Sequence, residues 1–271
     1  MIVIVNGADF SKNNLGQIPI EFPLEPFVKR TMQNLTKYPA LVSNGYAQSL
    51  NKLYKELVAE GIWSKLAILS IPVMAKDVSE CAYNVIAEDK QSNALTTFAT
   101  YYALDSDGWL RRNSQDMRGQ NRGFDIALSS KDLCMFGVLR QESADGVIIS
   151  AGYDTNYYNA KSSIGNPSDI ILQVFDNGVA MNNISQRLVA NGAFVVNYHG
   201  GNIEMQDSIA TYMDKSTSEE TQFSRFVPLS TLGSAESSTK SLAIYGCGVG
   251  LTSAERSKLF DTLSKFALPI M

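Results

Sequence analysis

The chain has 271 residues, of which 45% are hydrophobic and 18% charged, and this composition can bury enough apolar surface to form a folded core. The formal net charge is −4, and no stretch gathers the stripe of lysine and arginine that a polyanion-binding surface needs. The composition therefore argues against disorder and against nucleic acid as the main partner, and it allows one large β domain or two ordinary domains.

Neither a secretory signal nor a membrane span is predicted. The apolar start Met1–Val5 stops at Asn6, well short of a signal-peptide core. The closest approach to a membrane span, Leu66–Ala75, is interrupted by Ser70 and Pro72 and is shorter than the roughly 20 residues that cross a bilayer. Three scattered cysteines are too few for a disulfide framework or a zinc ribbon: Cys81, Cys134 and Cys247. We expect synthesis in a reducing cytoplasm.

Residues 1–42 differ in character from the rest of the chain. Pro19, Pro23 and Pro26 stand within eight residues, which forbids a helix there and disfavours a central strand. The segment has too little apolar material for a core of its own. Two interpretations stay open: an extended arm that attaches to another protein, or an extension that lies along its own domain. The candidate attachment residues are Phe10, Phe22, Leu24 and Phe27.

Residues 43–92 are predicted to form a helical connector. Apolar residues at Leu50, Leu53, Tyr54, Leu57 and Val58 follow the spacing of one helix face, and Gly61 is placed to end that helix in a left-handed conformation. A second, shorter helix over Val78–Val85 is predicted from the capping-box spacing of Asp77 and Glu80.

Residues 93–271 are predicted to form one β domain that closes with a helix. Short β-prone runs separated by Gly, Asn, Asp and Ser are typical of a sandwich or jelly roll. The predicted strands are Thr96–Tyr102, Phe124–Leu128, Leu133–Arg140, Val147–Tyr153, Ile170–Phe175, Ala193–Tyr198, Ile203–Met205 and Leu242–Tyr245. Thr252 and Glu255 form a capping box that opens the last helix, whose apolar face is Leu259, Phe260, Leu263 and Phe266.

Three short motifs in this element order resemble a known class of proteins. They are Gly61-Ile62-Trp63-Ser64-Lys65-Leu66, then Ala82-Tyr83-Asn84-Val85, and finally Gly248–Glu255 followed by Leu259, Leu263 and Phe266. The opening Val5–Ser11 adds to the likeness. The chain is similar to bacteriophage virion proteins with a concanavalin A-like (LamG-type) jelly roll, which are head or tail fibre and receptor-binding components in phages of gut Bacteroidales, including crAss-like phages. The stretch Asp105–Gly123 departs from that pattern.

The resemblance implies a mainly β fold with an N-terminal arm, a helical connector and a C-terminal helix. It implies a structural virion protein on the particle surface, made in the host bacterial cytoplasm, anchored to a capsid or tail protein by its N-terminus and binding host or environmental glycans. A homotrimer is the first expectation and a homodimer the second, so that weak sites would gain avidity from multiple copies.

A catalytic centre is not predicted. His199 is the only histidine, it follows a predicted strand, and no nucleophile motif accompanies it, so a polar turn residue is favoured over a catalytic one. Gly246-x-Gly248-x-Gly250 lacks the Walker lysine, so tight turning and close packing explain it better than phosphate binding. One histidine and three dispersed cysteines do not make a zinc site. No cofactor is expected, and calcium has no support from a dense Asp-x-Asp loop.

Two alternatives to the adhesion reading stay open. A jelly roll can host the two carboxylates of a polysaccharide-degrading enzyme, and the acids available on the predicted strands and loops are Glu142, Asp145, Asp154, Glu204 and Asp207. The chain could instead be a structural capsid decoration with no receptor.

The candidate glycan-binding segment is a tyrosine-rich loop that combines flat apolar rings with hydrogen-bonding groups. Its residues are Tyr153, Asp154, Tyr157 and Tyr158, and Trp109 and Tyr198 are weaker companions.

Overall fold

The structure is a computed structural model, and it describes residues 24–35, 44–75, 77–90, 101–112, 123–141, 146–153, 156–162, 169–176, 179–187, 191–207, 211–215, 220, 222–229 and 240–267. Three α-helices lie in this part of the chain: α1 (Pro26–Leu35), α2 (Asn44–Ala59) and α3 (Ser253–Ala267). Short 3-10 turns cover Trp63–Lys65, Pro72–Met74 and Val78–Ala82.

The strands of the described residues form two large antiparallel sheets and a small hairpin. In chain order they are β1 (Leu66–Ser70), β2 (Tyr83–Asn84), β3 (Asp89–Lys90), β4 (Tyr102–Leu104), β5 (Leu110–Arg112), β6 (Phe124–Ser129), β7 (Leu133–Gln141), β8 (Gly146–Tyr153), β9 (Asn156–Ser162), β10 (Asp169–Asp176), β11 (Val179–Arg187), β12 (Asn191–His199), β13 (Asn202–Gln206), β14 (Thr211–Lys215), β15 (Gln222–Pro228) and β16 (Lys240–Gly248).

The eight-stranded sheet has the order β14-β13-β12-β7-β16-β5-β4, with β1 paired to the far end of β16. The six-stranded sheet has the order β11-β10-β9-β8-β15-β6, and β2 pairs with β3. The chain passes repeatedly from one large sheet to the other, from β6 to β7 to β8 and again from β14 to β15 to β16. The predicted mainly β, concanavalin A-like jelly-roll sandwich is confirmed.

Strand β7 shows why the molecule has two cores. Leu133, Met135 and Leu139 pack between the two sheets, in the sandwich core. The intervening Cys134 and Phe136 pack on the other face, against the helices. Because side chains alternate across a strand, a strand that is apolar at nearly every position is buried on both faces.

Helices α2 and α3 cover the eight-stranded sheet. The predicted face of α3 is confirmed, since Leu259, Phe260, Leu263 and Phe266 are all buried against that sheet. On α2, Leu50, Leu53 and Leu57 are buried while Val58 is 47% exposed, so the apolar face is narrower than its spacing indicated. A fully buried leucine stabilises the fold by about 1.5–3 kcal/mol.

The predicted left-handed end of α2 is confirmed. Gly61 has a φ of +70°. Its N–H donates to the carbonyl of Val58 at 3.0 Å, and the N–H of Ile62 donates to the carbonyl of Leu57 at 2.9 Å. This pair of hydrogen bonds satisfies carbonyls that the helix end leaves without partners.

The end of the predicted arm differs from expectation. Helix α1 begins at Pro26, the last of the three prolines, since the first helical position needs no N–H donor. Leu24 and Phe27 are buried against the helical layer, and Phe27 stacks on Tyr54 with ring centroids 4.8 Å apart. The interpretation that fits residues 24–35 is therefore an extension lying along its own domain.

The expected helix over Val78–Val85 is wrong beyond its first turn. Asp77 does cap it, accepting a hydrogen bond from Ser79 N–H at 2.9 Å. The chain then leaves the turn and forms β2, because Asn84 bonds to strand β1 at the N–H of Leu69 (3.1 Å) and the carbonyl of Ala67 (2.9 Å). These tertiary hydrogen bonds outweigh the local helix preference.

Seven of the predicted strands correspond to β6, β7, β8, β10, β12, β13 and β16, and most of the eighth, Thr96–Tyr102, lies outside the described residues. Strand β1 belongs to the eight-stranded sheet, although it lies in the predicted connector 43–92. The predicted boundaries at residues 42 and 92 lie outside the described residues, and that division stays a prediction.

Candidate functional site

The motifs that carry the resemblance meet at one place, around β1. Lys65 Nζ lies 2.7 and 2.8 Å from the two carboxylate oxygens of Glu255. The N–H of Val249 donates to the Lys65 carbonyl at 2.9 Å, and Asn84 binds the other edge of β1. The motifs therefore hold β1, β16 and α3 together, and the role of these contacts is structural.

The glycine-rich stretch is explained by close packing, as predicted. A Cβ on Gly246 would lie 2.3 Å from the Ile68 carbonyl oxygen, one on Gly248 would lie 2.3 Å from the Lys65 carbonyl oxygen, and one on Gly250 would lie 2.4 Å from the Tyr198 carbonyl oxygen. Only glycine fits at such approaches of backbone to backbone.

His199 pairs with a carboxylate at the surface. Its Nδ1 lies 3.0 Å from Asp132 Oδ1, and the two side chains are 48% and 47% exposed. Gly250 makes room for this pair, because a Cβ there would lie 2.6 Å from Asp132 Oδ1. The histidine thus ties the turn after β12 to the turn before β7.

Two of the acids considered for polysaccharide cleavage lie in the described part of the chain, and both are buried. Glu204 is buried, forms an ion pair with Arg256 and accepts a hydrogen bond from Ser253 at 2.8 Å, so α3 covers it. Asp207 is also buried. The others, Glu142, Asp145 and Asp154, lie outside the described residues.

The tyrosine-rich segment is a β-hairpin rather than a loop. Tyr153 ends β8, and Tyr157 and Tyr158 lie in β9; Asp154 lies outside the described residues. Position 158 pairs with Ala151, which is buried in the sandwich core, whereas position 157 pairs with Gly152. Because directly opposite residues share a face, positions 157 and 158 belong to opposite faces of the sheet.

By strand register, one row of backbone positions belongs to the face opposite the sandwich core, here called the outer face, and its residues are a serine and three amides. Ser150 pairs with Asn159, Asn159 with Gln173, and Gln173 with Asn183, across strands β8, β9, β10 and β11. Ser150 stands between the core residues Ile149 and Ala151, so its row belongs to the outer face. We call Asn159, Gln173 and Asn183 the amide row.

The neighbouring row of the outer face contains position 157. It runs from Arg225 on β15 through Gly152 and position 157 to Phe175 on β10. Arg225 is neutralised by an ion pair with Asp125 on β6. Ser150 is fully buried, so the outer face is covered at β8.

The other candidate binding residues do not join this surface. Tyr198 is 3% exposed and lies in the sandwich core. Trp109 is 8% exposed and packs in the core beneath the helices. Of the candidate attachment residues, Leu24 and Phe27 are buried as described above, and Phe10 and Phe22 lie outside the described residues.

A charged loop between β4 and β5 was missed by the sequence analysis. Asp105 Oδ1 accepts hydrogen bonds from the N–H groups of Asp107 and Trp109, each at 2.9 Å. Arg140 on β7 donates to Asp107 Oδ2 at 2.6 Å and also binds Asp105. Its guanidinium carbon lies 4.8 Å from the centre of the Trp109 ring. The spacing of Asp105 and Asp107 could have indicated this loop, but Arg140 lies more than 30 positions away in the sequence.

Burial lowers the pKa of Arg140, but the hydrogen bonds and charges of Asp107 and Asp105 outweigh it and raise that pKa overall. This loop borders a cavity of about 550 Å³ whose wall contains Leu104, Ser106, Arg111, Arg140 and both aspartates. The cation beside the two carboxylates is thus a side chain of the protein. Among the described residues, no cluster of three or more potential metal ligands was found.

None of the helices in the described residues is both long and apolar enough to cross a bilayer.

Comparisons with known proteins find likeness in structure only. No protein family model matches the chain, and no curated protein matches it. A GH43 protein from Bacillus licheniformis aligns with 56% of this chain and 35% of its own length, at 10% identity and a TM-score of 0.38. The carbohydrate-binding module CBM66 from Bacillus subtilis aligns with 54% of this chain and 90% of its own, at 15% identity and a TM-score of 0.33.

A toad ovary galectin, solved with N-acetylgalactose, aligns with 46% of this chain and 94% of its own, at 12% identity and a TM-score of 0.27. The chain spans about a third of the GH43 proteins, 35% of the one from Bacillus licheniformis and 34% of one from Bacteroides ovatus.

Proposed function

We propose that the protein is a non-enzymatic adhesion protein that binds glycans on the outer face of its six-stranded sheet. The observation that carries the proposal is the amide row beside position 157. An amide side chain both donates and accepts hydrogen bonds, which matches sugar hydroxyls, and a tyrosine ring offers a flat apolar face to a sugar ring.

Affinity would come from several copies of a weak site. A flat row of uncharged groups gives a modest affinity, and linking copies raises the effective concentration of the second site without new contacts. We propose a homotrimer, with a homodimer as the second choice. Sedimentation or light scattering of the purified chain measures this, and a monomer would contradict it.

We further propose that the protein stands on the surface of a bacteriophage particle as a head or tail fibre component, attached to a capsid or tail protein through its N-terminus. The resemblance of Gly61–Leu66, Ala82–Val85 and Gly248–Glu255 to such virion proteins supports this context. Mass spectrometry and immunogold labelling of purified particles test it. Absence of the chain from particles would overturn it.

The glycan site is tested with Tyr157→Ala and Asn159→Ala. Binding of the purified oligomer to an array of bacterial surface glycans should fall at least tenfold for each variant, about 1.4 kcal/mol per site. Gln33→Ala, which removes an exposed amide from α1, is the matched control and should bind like the unmodified protein. Unchanged binding by both outer-face variants would contradict the site.

Two further outcomes would distinguish the competing functions from adhesion. Release of reducing ends from host capsular polysaccharide would replace adhesion with polysaccharide cleavage. Incorporation into particles without binding to any glycan would leave a purely structural decoration protein.

A further inference from the structure

We propose that the cavity beside the β4–β5 loop is a second ligand site, and that it takes neighbouring hydroxyls of a neutral sugar. The cavity is built on the eight-stranded sheet, whereas the amide row is on the six-stranded sheet. Its volume of about 550 Å³ lies in the range of small-molecule sites. Because the two lie on different sheets, the cavity is separate from the proposed glycan-binding face.

The wall of the cavity is held in place before any ligand arrives. Asp105 is fixed through one carboxylate oxygen by two backbone N–H groups and through the other by Arg140. Arg140 in turn lies over the Trp109 ring and donates to Asp107. Gly108, with a φ of +79°, closes the tight turn that this arrangement requires. A pre-organised wall lowers the entropy cost of binding.

Two wall groups keep hydrogen-bonding capacity. Asp107 is 55% exposed, and its Oδ2 accepts from Arg140 while Oδ1 has no partner among the described residues. Arg111 is exposed on β5 and forms no ion pair among those residues. Within the described part of the chain, Asp107 thus keeps an acceptor oxygen and Arg111 keeps its donors, and both border the same cavity.

The charge balance of the wall selects the ligand class. Among the described wall residues, Asp105 and Asp107 offset Arg111 and Arg140, so these four charges sum to zero. A sulfate or carboxylate would meet the two aspartates, and a metal ion would meet the two arginines. A hydroxyl both donates to Asp107 and accepts from Arg111, so neighbouring hydroxyls on one ring fit both groups without a charge penalty. Leu104 offers an apolar surface to the C–H face of that ring.

The test uses tryptophan fluorescence, because Trp109 lies directly beneath Arg140. The chain has two tryptophans, and Trp63→Phe leaves Trp109 as the only reporter. In that background we titrate methyl glycosides of mannose, galactose, glucose and xylose up to ~100 mM, above the dissociation constants of millimolar sites. Glucuronate, sodium sulfate and calcium chloride are the charged comparisons, and saturation-transfer NMR confirms contact with the sugar.

At least one neutral glycoside should bind with a saturable response. Arg111→Ala should weaken it at least tenfold, and Lys29→Ala, which removes an exposed lysine from α1, should not change it. The inference is overturned by no response to any neutral sugar, by an unchanged affinity in Arg111→Ala, or by tighter binding of a charged probe.

The proposals for the two sites can be refuted independently of each other. Tyr157→Ala should leave the Trp109 response intact. If outer-face variants bind glycan arrays normally while Arg111→Ala loses the Trp109 response, the cavity site stands and the proposed outer-face site does not. The reverse pattern refutes the cavity and leaves the proposed function in place.

Discussion

Gly246 lies on β16 where that strand pairs with β1. A Cβ there would lie 2.3 Å from the Ile68 carbonyl oxygen and 2.5 Å from the Phe136 ring. Neither the paired backbone of β1 nor the buried ring can give way freely, so Gly246→Ala should lower the free energy of unfolding by about 1–3 kcal/mol. Urea denaturation measures this loss.

Comparing Gly246→Ala with Gly61→Ala separates the stability cost of steric crowding from that of backbone strain. Gly61 has a φ of +70° and nothing within 4 Å of its would-be Cβ, so only the left-handed conformation is penalised, by about 1–2 kcal/mol. The midpoint of Gly246→Ala should lie below that of Gly61→Ala. A Gly246→Ala variant as stable as the unmodified protein would contradict the close packing.

The three cysteines are buried, and burial raises the pKa of each thiol. Since the thiolate is the reactive form, a colorimetric thiol reagent at neutral pH should not label the native protein, and three thiols should react after unfolding in guanidinium. Rapid labelling of any thiol in the native state would show that its surroundings open.

At the scale of elements, the attachment of α3 to β1 depends on pH. Thr252 and Glu255 cap α3 reciprocally, with the Thr252 N–H donating to Glu255 Oε2 at 3.0 Å. Burial alone would raise the pKa of Glu255, but hydrogen bonds from Lys65 and Thr252 outweigh it and lower that pKa. Folding therefore favours the charged carboxylate, whose contribution is present above the unfolded pKa of about 4.3 and is lost as the pH falls through the lower folded pKa.

Lys65→Met should thus cost about 1 kcal/mol near neutral pH, and the difference from the unmodified protein should shrink as the pH falls below about 4. Unfolding curves at a series of pH values measure it. Lys258→Met removes a more exposed pair, Lys258–Glu60 at 3.3 Å, and should have little effect at any pH. Equal effects of the two variants would contradict the special role of Lys65.

The β8–β9 hairpin shows that strand register assigns neighbouring residues to different faces of a sheet. Tyr157 and Tyr158 are equivalent in a loop, but in a strand they belong to opposite faces, so only one of them can contribute to the outer face. Apart from its two tyrosines, the run Asn156–Ser162 has little β propensity, and pairing with β8 on one side and β10 on the other supports its strand state.

At the scale of the whole molecule, α1 belongs to the folded domain. Leu24, Phe27 and Val28 are buried in the core beneath the helices. Deleting residues 1–23 leaves these three side chains in place. Deleting residues 1–42 removes those three side chains and should cost several kcal/mol, since each truncation of a buried apolar side chain costs about 2–5 kcal/mol. Calorimetry of the two truncations measures the difference.

The shorter truncation is therefore the cleaner test of attachment. If the N-terminus anchors the protein, particles made with the 1–23 deletion should lack the chain although it remains folded. Normal incorporation of this truncation would overturn the anchor proposal.

The sequence by itself determined the elements whose pattern is local. Helices α2 and α3 followed from apolar spacing and capping residues, and β7 and β12 from runs of apolar residues that are buried on both faces. The mainly β sandwich followed from the number and spacing of such runs. These features depend on residues a few positions apart, so they are legible without knowing which strands pair.

Only the tertiary structure decided what lies side by side. It joined Lys65 to Glu255 across 190 positions and Arg140 to Asp105 across 35, and it aligned Asn159, Gln173 and Asn183 in one row. It also placed positions 157 and 158 on different faces of the sheet. Strand pairing and register depend on contacts distant in sequence, and a shift of one residue exchanges the two faces. The candidate sites therefore became visible only once the sheets were assembled.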